Sequence, residues 1–262
     1  MRDIDDGMVP PAARRGKQRH RARLIGLLAL LVAVPSVTVG SDREPALRML
    51  FVGNSYLYVN DLPSQVRRMA ASRGVALDIR MLAQPDFALS DHLRGPDFLR
   101  ELDRDWDWIV LQQGPSSLPE SREDLIASVR VVAARVQGKP VRVALMSGWP
   151  AKQYAAHSSQ GEVSYRLAAT HIGACVMPVA TAWRLARESD KSTTLYAPDR
   201  LHATRAGTRL AAMVVLHGLL GEGPQPATQD RSDTPAKPKR VDVLEQAVIR
   251  AYEDEPKGCG PD

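Results

Sequence analysis

The chain is poor in cysteine, in aromatic residues and in long apolar runs, and each shortage excludes a class of protein. Two cysteines in 262 residues exclude a disulfide-built scaffold and any zinc site made of four thiolates. Aromatic residues make up only 5% of the sequence, but 44% is hydrophobic, enough for one sizeable core and too much for a disordered chain. The longest apolar stretch, counted generously from Leu24 to Val39, has 16 residues. That is short of the roughly 20 that span a bilayer comfortably, so a polytopic membrane protein is excluded.

An excess of positive charge is present, +5 in total, yet it is local. Seven of the 35 Lys and Arg lie within residues 1–40, against three of the 30 acids, and residues 41–262 are almost neutral at +1. The body of the chain therefore has no phosphate-tracking basic patch, and no nucleic-acid partner is expected. The basic residues run from Arg14 to Arg23 and lead into the apolar segment Leu24–Val34, which Pro35, Ser36 and the small residues Thr38 and Gly40 bring to an end. Positive region, short apolar region and small-residue exit form the layout of a secretory signal. Residues 1–40 are expected to be such a signal, cleaved near Gly40, with an uncleaved N-terminal anchor as the rival and the chain's only expected contact with a membrane. The expected product is exported: secreted, periplasmic or held at the cell surface. In an oxidising compartment a bond between Cys175 and Cys259 is permitted. The favoured reading is nevertheless a buried free thiol at Cys175 and a solvent-exposed one at Cys259, since a bridge demands a specific approach of the two backbones.

Beyond a polar linker, apolar strand patterns alternate with helical ones. Strands are expected at Leu47–Val52, Val75–Leu82, Trp106–Gln112, Val141–Met146 and Ala174–Val179. Helices are expected from Asp61 with Pro63 to Arg73, over Leu89–Leu102 with a break at Gly95-Pro96, and over Glu120–Val136, Glu162–His171, Ala203–Leu220 and Val241–Tyr252. This alternation implies an α/β fold, a central parallel sheet with helices on both faces. The helix Ala203–Leu220 is apolar on nearly every side and is expected to be buried. Residues 221–240 turn to Pro, Asp, Thr and Lys and read as a linker. The expected organisation is a leader (1–40), one domain (41–221), and a tail of linker and surface helix (222–262).

In such sheets, chemistry collects at the carboxyl ends of the strands. Ser55 follows the first strand and Gly53, on a turn whose backbone N–H groups can hold an oxyanion. A serine needs a base, and the base needs a third group to orient it. Asp199-Arg200-Leu201-His202 places a carboxylate and an imidazole three residues apart at another strand exit, in the chain order Ser, Asp, His. Taken alone, Gly-Asn-Ser is an ordinary turn and Asp-x-x-His an ordinary coincidence. It is their shared position at strand exits that makes them a candidate triad.

These residues also carry a resemblance. Leu50-Phe51-Val52-Gly53-Asn54-Ser55-Tyr56, followed by Asn60-Asp61-Leu62-Pro63, resembles the first block of the SGNH (GDSL-type) hydrolases, in the branch that writes Gly-Asn-Ser. Pro178-Val179, Ala182-Trp183, Leu195-Tyr196, Asp199, His202, Gly207-Thr208 and Leu210-Ala211-Ala212 resemble that family's final block. The resemblance spans roughly residues 47–221 and is thin in its middle. It implies a three-layer α/β/α sandwich of flavodoxin-like architecture, ester hydrolysis through an acyl-serine, and no metal or organic cofactor. Ser55 would be the nucleophile, His202 the base and then the acid, and Asp199 the residue that orients His202. Besides the Ser55 N–H, the oxyanion donors would come from two departures from the family pattern. Asp86 stands where the family's second block has a glycine, and Gln112 or Gln113 stands where its third block has an asparagine.

Trp149, just beyond the strand ending at Met146, is a candidate for lining the acyl or sugar pocket, although packing is the commoner role of a lone tryptophan. His92, His157 and His171 are expected on the surface or at helix ends, and His217 is expected to be a satisfied core histidine. The leading expectation is a serine esterase acting on small acyl esters, with a small-molecule or carbohydrate O-acetyl ester as its partner. The rivals are a non-catalytic binding domain on the same scaffold, an acyltransferase using the same triad, and a nucleotide binder built on Gly53. The last has one glycine where phosphate loops need several.

Overall fold

A computed structural model describes residues 45–221 and 242–253, together with Glu255 and Cys259. The expected leader at 1–40 and almost all of the expected linker at 221–240 lie outside the described residues.

Five short strands form the sheet: β1 (Leu47–Gly53), β2 (Leu77–Ala83), β3 (Trp108–Leu111), β4 (Arg142–Met146) and β5 (Cys175–Met177). All pair in parallel, in the order β2-β1-β3-β4-β5. The inner strands are continuous apolar runs because helices cover both faces. Along β1, Met49 and Phe51 join one core while Leu50 and Val52 join the other. The same alternation divides Trp108 and Val110 from Ile109 and Leu111 on β3.

One face carries α1 (Ser55–Tyr58), α2 (Leu62–Ala71), α7 (Val179–Ser189), α8 (Arg205–Leu220) and α9 (Val243–Glu253). The other carries α3 (Leu89–Arg94), α4 (Pro96–Leu102), α5 (Pro119–Arg135) and α6 (Ser158–Ile172). The result is a three-layer α/β/α sandwich. Local chemistry sets several boundaries. Asp61 caps α2 through its side chain, with Pro63 in the first turn. Gly95 lies between α3 and α4, and Pro96 opens α4. Glycines with positive φ end α6 and α8 at Gly173 and Gly221.

Three elements differ from expectation. A helix, α7, begins directly after Pro178, where the β-branched run suggested a strand extending to Val179. A 3-10 turn at Lys152–His157 leads into α6, which starts at Ser158 rather than Glu162. The last helix, α9, is no bare surface element, since Leu244, Ala247, Val248 and Ala251 are buried in the same core as α7 and α8. The favoured reading of the cysteines is also corrected: Cys175 at the start of β5 is disulfide-bonded to Cys259, which is 1% exposed. Cys259 lies beside the start of β5, an approach that a separation of 84 residues conceals.

Candidate active site

The chain crosses from one side of β1 to the other between β2 and β3. The carboxyl ends of β1 and β3 therefore flank the crevice where parallel sheets hold their chemistry. Ser55 is there, the first residue of α1, 8% exposed. The turn before it is pinned from several sides. Asn54 caps α1, its Oδ1 accepting from the Tyr56 N–H at 3.2 Å and its Nδ2 donating to the Phe87 carbonyl at 3.1 Å. The Asn54 N–H donates to Gln112 Oε1 at 3.1 Å. His92 Nε2 lies 2.8 Å from the Gly53 carbonyl, which can only accept, so the ring donates there. Gly53 must be glycine for steric reasons, because a Cβ would sit 2.4 Å from Gln112 Oε1 and 2.9 Å from the Gln112 carbonyl.

Asp199 and His202 lie on a loop closed by the Tyr196–Ala203 bridge and by the Ala197 N–H donating to the His202 carbonyl at 2.8 Å. Arg200, at φ 65°, makes the reversal tight. Asp199 Oδ1 accepts from the N–H groups of Leu201 and His202, both at 3.0 Å, which leaves Oδ2 for the ring. His202 Nδ1 is 2.6 Å from Asp199 Oδ2, and His202 Nε2 is 2.8 Å from Ser55 Oγ. The Leu201 N–H, and after it the His202 ring, lower the Asp199 pKa to about 2. A carboxylate can only accept, so Nδ1 carries the proton and Nε2 is left to accept from the serine hydroxyl. The arrangement can take a proton from Ser55 and stabilise the imidazolium that results.

Residues for which no tethering role was expected hold the two segments together. Asn60, just past α1 at φ 61°, donates from Nδ2 to the Ala203 carbonyl at 2.8 Å and to Thr208 Oγ1 at 3.0 Å. Tyr56, Trp149 and Trp183 form a stack with ring centroids 4.4 and 4.2 Å apart. Within it, Tyr56 donates to the Trp149 carbonyl at 3.0 Å, and Trp149 Nε1 donates to the carbonyl of Leu201, beside His202, at 3.0 Å. Asp61 with Pro63 was legible as a helix start, but the reach of Asn60 across 143 residues was not.

A cavity of about 590 Å³ opens beside Ser55, between the loop following β2 and the start of α5. Trp149 does not line it; at 1% exposure it is a buried support for the histidine loop. The glutamines are also corrected as donors. Gln112 is fully buried and absent from the cavity wall, its Nε2 donating to the Gln113 carbonyl. Gln113 does reach the wall, but its Oε1 accepts from the Leu89 N–H at 3.1 Å and its Nε2 donates to Ser116 Oγ at 2.9 Å. Asp86 lines the cavity at φ 58°, a conformation that suits glycine and that aspartate tolerates better than most residues. Its side chain is exposed rather than buried against the serine.

The other histidines divide. His157 and His171 are exposed, hydrogen-bonded to Gln160 and Arg130. His92 lies at a helix end, in the last turn of α3, but is buried there at 8% exposure, and burial lowers its pKa. His217 stacks on Tyr252 at 4.2 Å, and its buried Nδ1 has no hydrogen-bond partner among the described residues, against the expectation of a satisfied core histidine. Among the described residues, no group of three or more His, Cys, Asp or Glu side chains is placed to hold a metal ion.

No protein-family model matches the sequence, and no curated protein matches it significantly. Solved structures do match. A candidate SGNH hydrolase from Slackia heliotrinireducens superposes with a TM-score of 0.57 at 23% identity, over 66% of this chain and 98% of that one. The chain has the SGNH-hydrolase fold. A DUF4886 family protein from Bacteroides uniformis shares this fold with a TM-score of 0.63 at 17% identity, over 80% of this chain and 96% of that one. A two-domain esterase active on acetylated mannans matches with a TM-score of 0.53 at 13% identity, over 81% of this chain and 52% of that one. At these identities the likeness to SGNH proteins is one of fold, and chemistry has to be argued from the side chains.

Proposed function

We propose that the chain is an exported serine esterase that hydrolyses small acyl esters, carbohydrate O-acetyl esters among them. The observation that carries this reading is the unbroken hydrogen-bonded line Ser55 Oγ, His202 and Asp199, with steps of 2.8 and 2.6 Å. Nε2 takes the hydroxyl proton as Oγ attacks the acyl carbon. The carbonyl π electrons move to oxygen, and the tetrahedral intermediate collapses as His202 returns the proton to the departing alcohol. Water, deprotonated by the same nitrogen, then adds to the acyl carbon, and the bond to Oγ breaks as His202 returns that proton to Ser55, freeing the carboxylic acid.

The N–H groups of Ser55 and Asp86 are the proposed oxyanion donors. Both residues line the cavity, and the second N–H of Asn54 Nδ2 is a third candidate, since one already serves Phe87. The non-catalytic alternative takes Asp86 and the altered third block as marks of a decayed oxyanion hole. The exposed side chain and glycine-like backbone of Asp86 speak against the first mark, whereas the engaged glutamines leave the second in place. Export is supported by the leader pattern and by the Cys175–Cys259 disulfide, a bond typical of oxidising compartments. Among the described residues, no helix is long and apolar enough to cross a membrane.

The test is Ser55→Ala, assayed with an aryl acetate and with a fluorophosphonate probe whose modified peptide is mapped. Turnover should fall on the order of 10³-fold or more, labelling should vanish, and the unfolding midpoint should stay in place. Unchanged turnover, or a label on another residue, would overturn the reading.

A further inference from the structure

Among the described residues, the cavity wall beside Ser55 carries negative charge and no positive charge. Asp86 contributes a carboxylate from the loop following β2, and Glu120 and Asp124 contribute two more from the start of α5. Among the described residues, no lysine, arginine or histidine lines the cavity, and none of the three carboxylates forms an ion pair. Helix stability accounts for Glu120, which lies in the first turn of α5 beside the positive end of its dipole. It does not account for the pair. Glu120 and Asp124 are four residues apart, where like charges repel one another on a helix. Arg122, between them in sequence, is turned away and donates to Ser164 Oγ at 2.9 Å. A concave wall of one sign concentrates its field inward. What that field acts on, in this place, is whatever part of an ester extends from Ser55 into the cavity.

We infer that the cavity selects its ester by charge: a substrate bearing a positive group is preferred, a neutral one is accepted, and an anionic one is disfavoured. This rests on the esterase reading and gives it a substrate class. An acylated sugar with a free amino group fits, whereas one carrying a carboxylate or phosphate is repelled. Esters of neutral sugars stand between, their hydroxyls donating to the same carboxylates.

Three acetates of similar shape test this: 2-(trimethylammonio)ethyl, 3,3-dimethylbutyl and 2-sulfoethyl acetate. At low ionic strength kcat/KM should fall in that order, with the cationic and anionic esters differing on the order of tenfold or more. In 1 M salt, where charges are screened over about 3 Å, the spread should shrink to about twofold. Glu120→Gln combined with Asp124→Asn should narrow the low-salt spread. Equal kcat/KM for the three, or a preference for the sulfonate, overturns the charge selection while leaving the esterase standing. If none is hydrolysed it is the esterase reading that fails. Charge selection is then decided by calorimetric binding of the cationic and anionic esters to the Ser55→Ala protein, where equal affinity or tighter binding of the anion overturns it.

Discussion

The two halves of the candidate triad come from opposite ends of the domain, and Asn60 is the side chain that ties them. Its Nδ2 bonds the Ala203 carbonyl, next to His202, and Thr208 Oγ1 at the head of α8. Asn60→Asp keeps the shape and the tolerance for positive φ but sets a carboxylate oxygen against a carbonyl. At about 1 kcal/mol for each bond lost, it should cost about 2 kcal/mol. Asn60→Ala loses the same bonds and adds about 1 kcal/mol for holding alanine at φ 61°. The predicted order of urea midpoints is wild type, Asp, Ala, with the first gap close to 1 M. The functional readout is the second-order rate of fluorophosphonate labelling at Ser55, which needs no knowledge of the substrate. A displacement of His202 by even 1 Å can cost on the order of 100-fold, so at least a tenfold loss is expected in both variants. If Asn60→Asp keeps the wild-type midpoint and labelling rate, the clasp has been misread.

Three further outcomes are expected. Cys259→Ser should lower stability, because the bond closes a separation of 84 residues. The chain-entropy model puts the cost at about 4.5 kcal/mol, with 2–4 more typical of measured cases. A denaturant midpoint that ignores both the substitution and reducing agent would refute this. Asp199→Asn should lower kcat by on the order of 10² to 10⁴ and flatten part of the acid limb of stability. The Asp199 pKa is lowered to about 2 on folding, so its ionised form stabilises the native state above the ordinary carboxylate range and loses that effect as pH falls toward 2. With half of its side chain exposed, solvent keeps the term small, and a difference between the two proteins that grew toward low pH would have the wrong sign. Gly53→Ala forces a Cβ into the Gln112 side chain and carbonyl. It should cost about 1–3 kcal/mol and slow labelling at Ser55, and an alanine variant with wild-type behaviour would show that the turn has room.

The strand and helix pattern was legible because apolar periodicity follows directly from burying two faces of a sheet. Helix α7 was missed for a local reason: Val179 and Thr181 favour strands intrinsically, and only the spacing of Val179, Ala182, Trp183 and Ala186 betrays a helix face. Gln112 and Gln113 were recognised as lying beside the site, but their amide oxygens accept from the N–H groups of Asn54 and Leu89, which are distant in sequence, while Gln113 Nε2 donates to Ser116 close by. Trp149 was visible as a strand-exit residue, yet its partners in the stack come from positions 56 and 183. His92 looked like any helix histidine until α3 was seen to carry it under the Gly53 carbonyl.

By itself the sequence determined the layer architecture and offered Ser55, His202 and Asp199 as a candidate triad. Both rest on short-range facts: side-chain period, strand exits, and a carboxylate three residues from an imidazole. Only the tertiary structure decided which groups meet across 33 to 148 residues, in the Asn54, Asn60 and His92 tethers and the disulfide, and which residues come together around the cavity. Hydrogen bonds and charge act over a few ångströms of space whatever the distance along the chain, so their partners are fixed only when the layers pack.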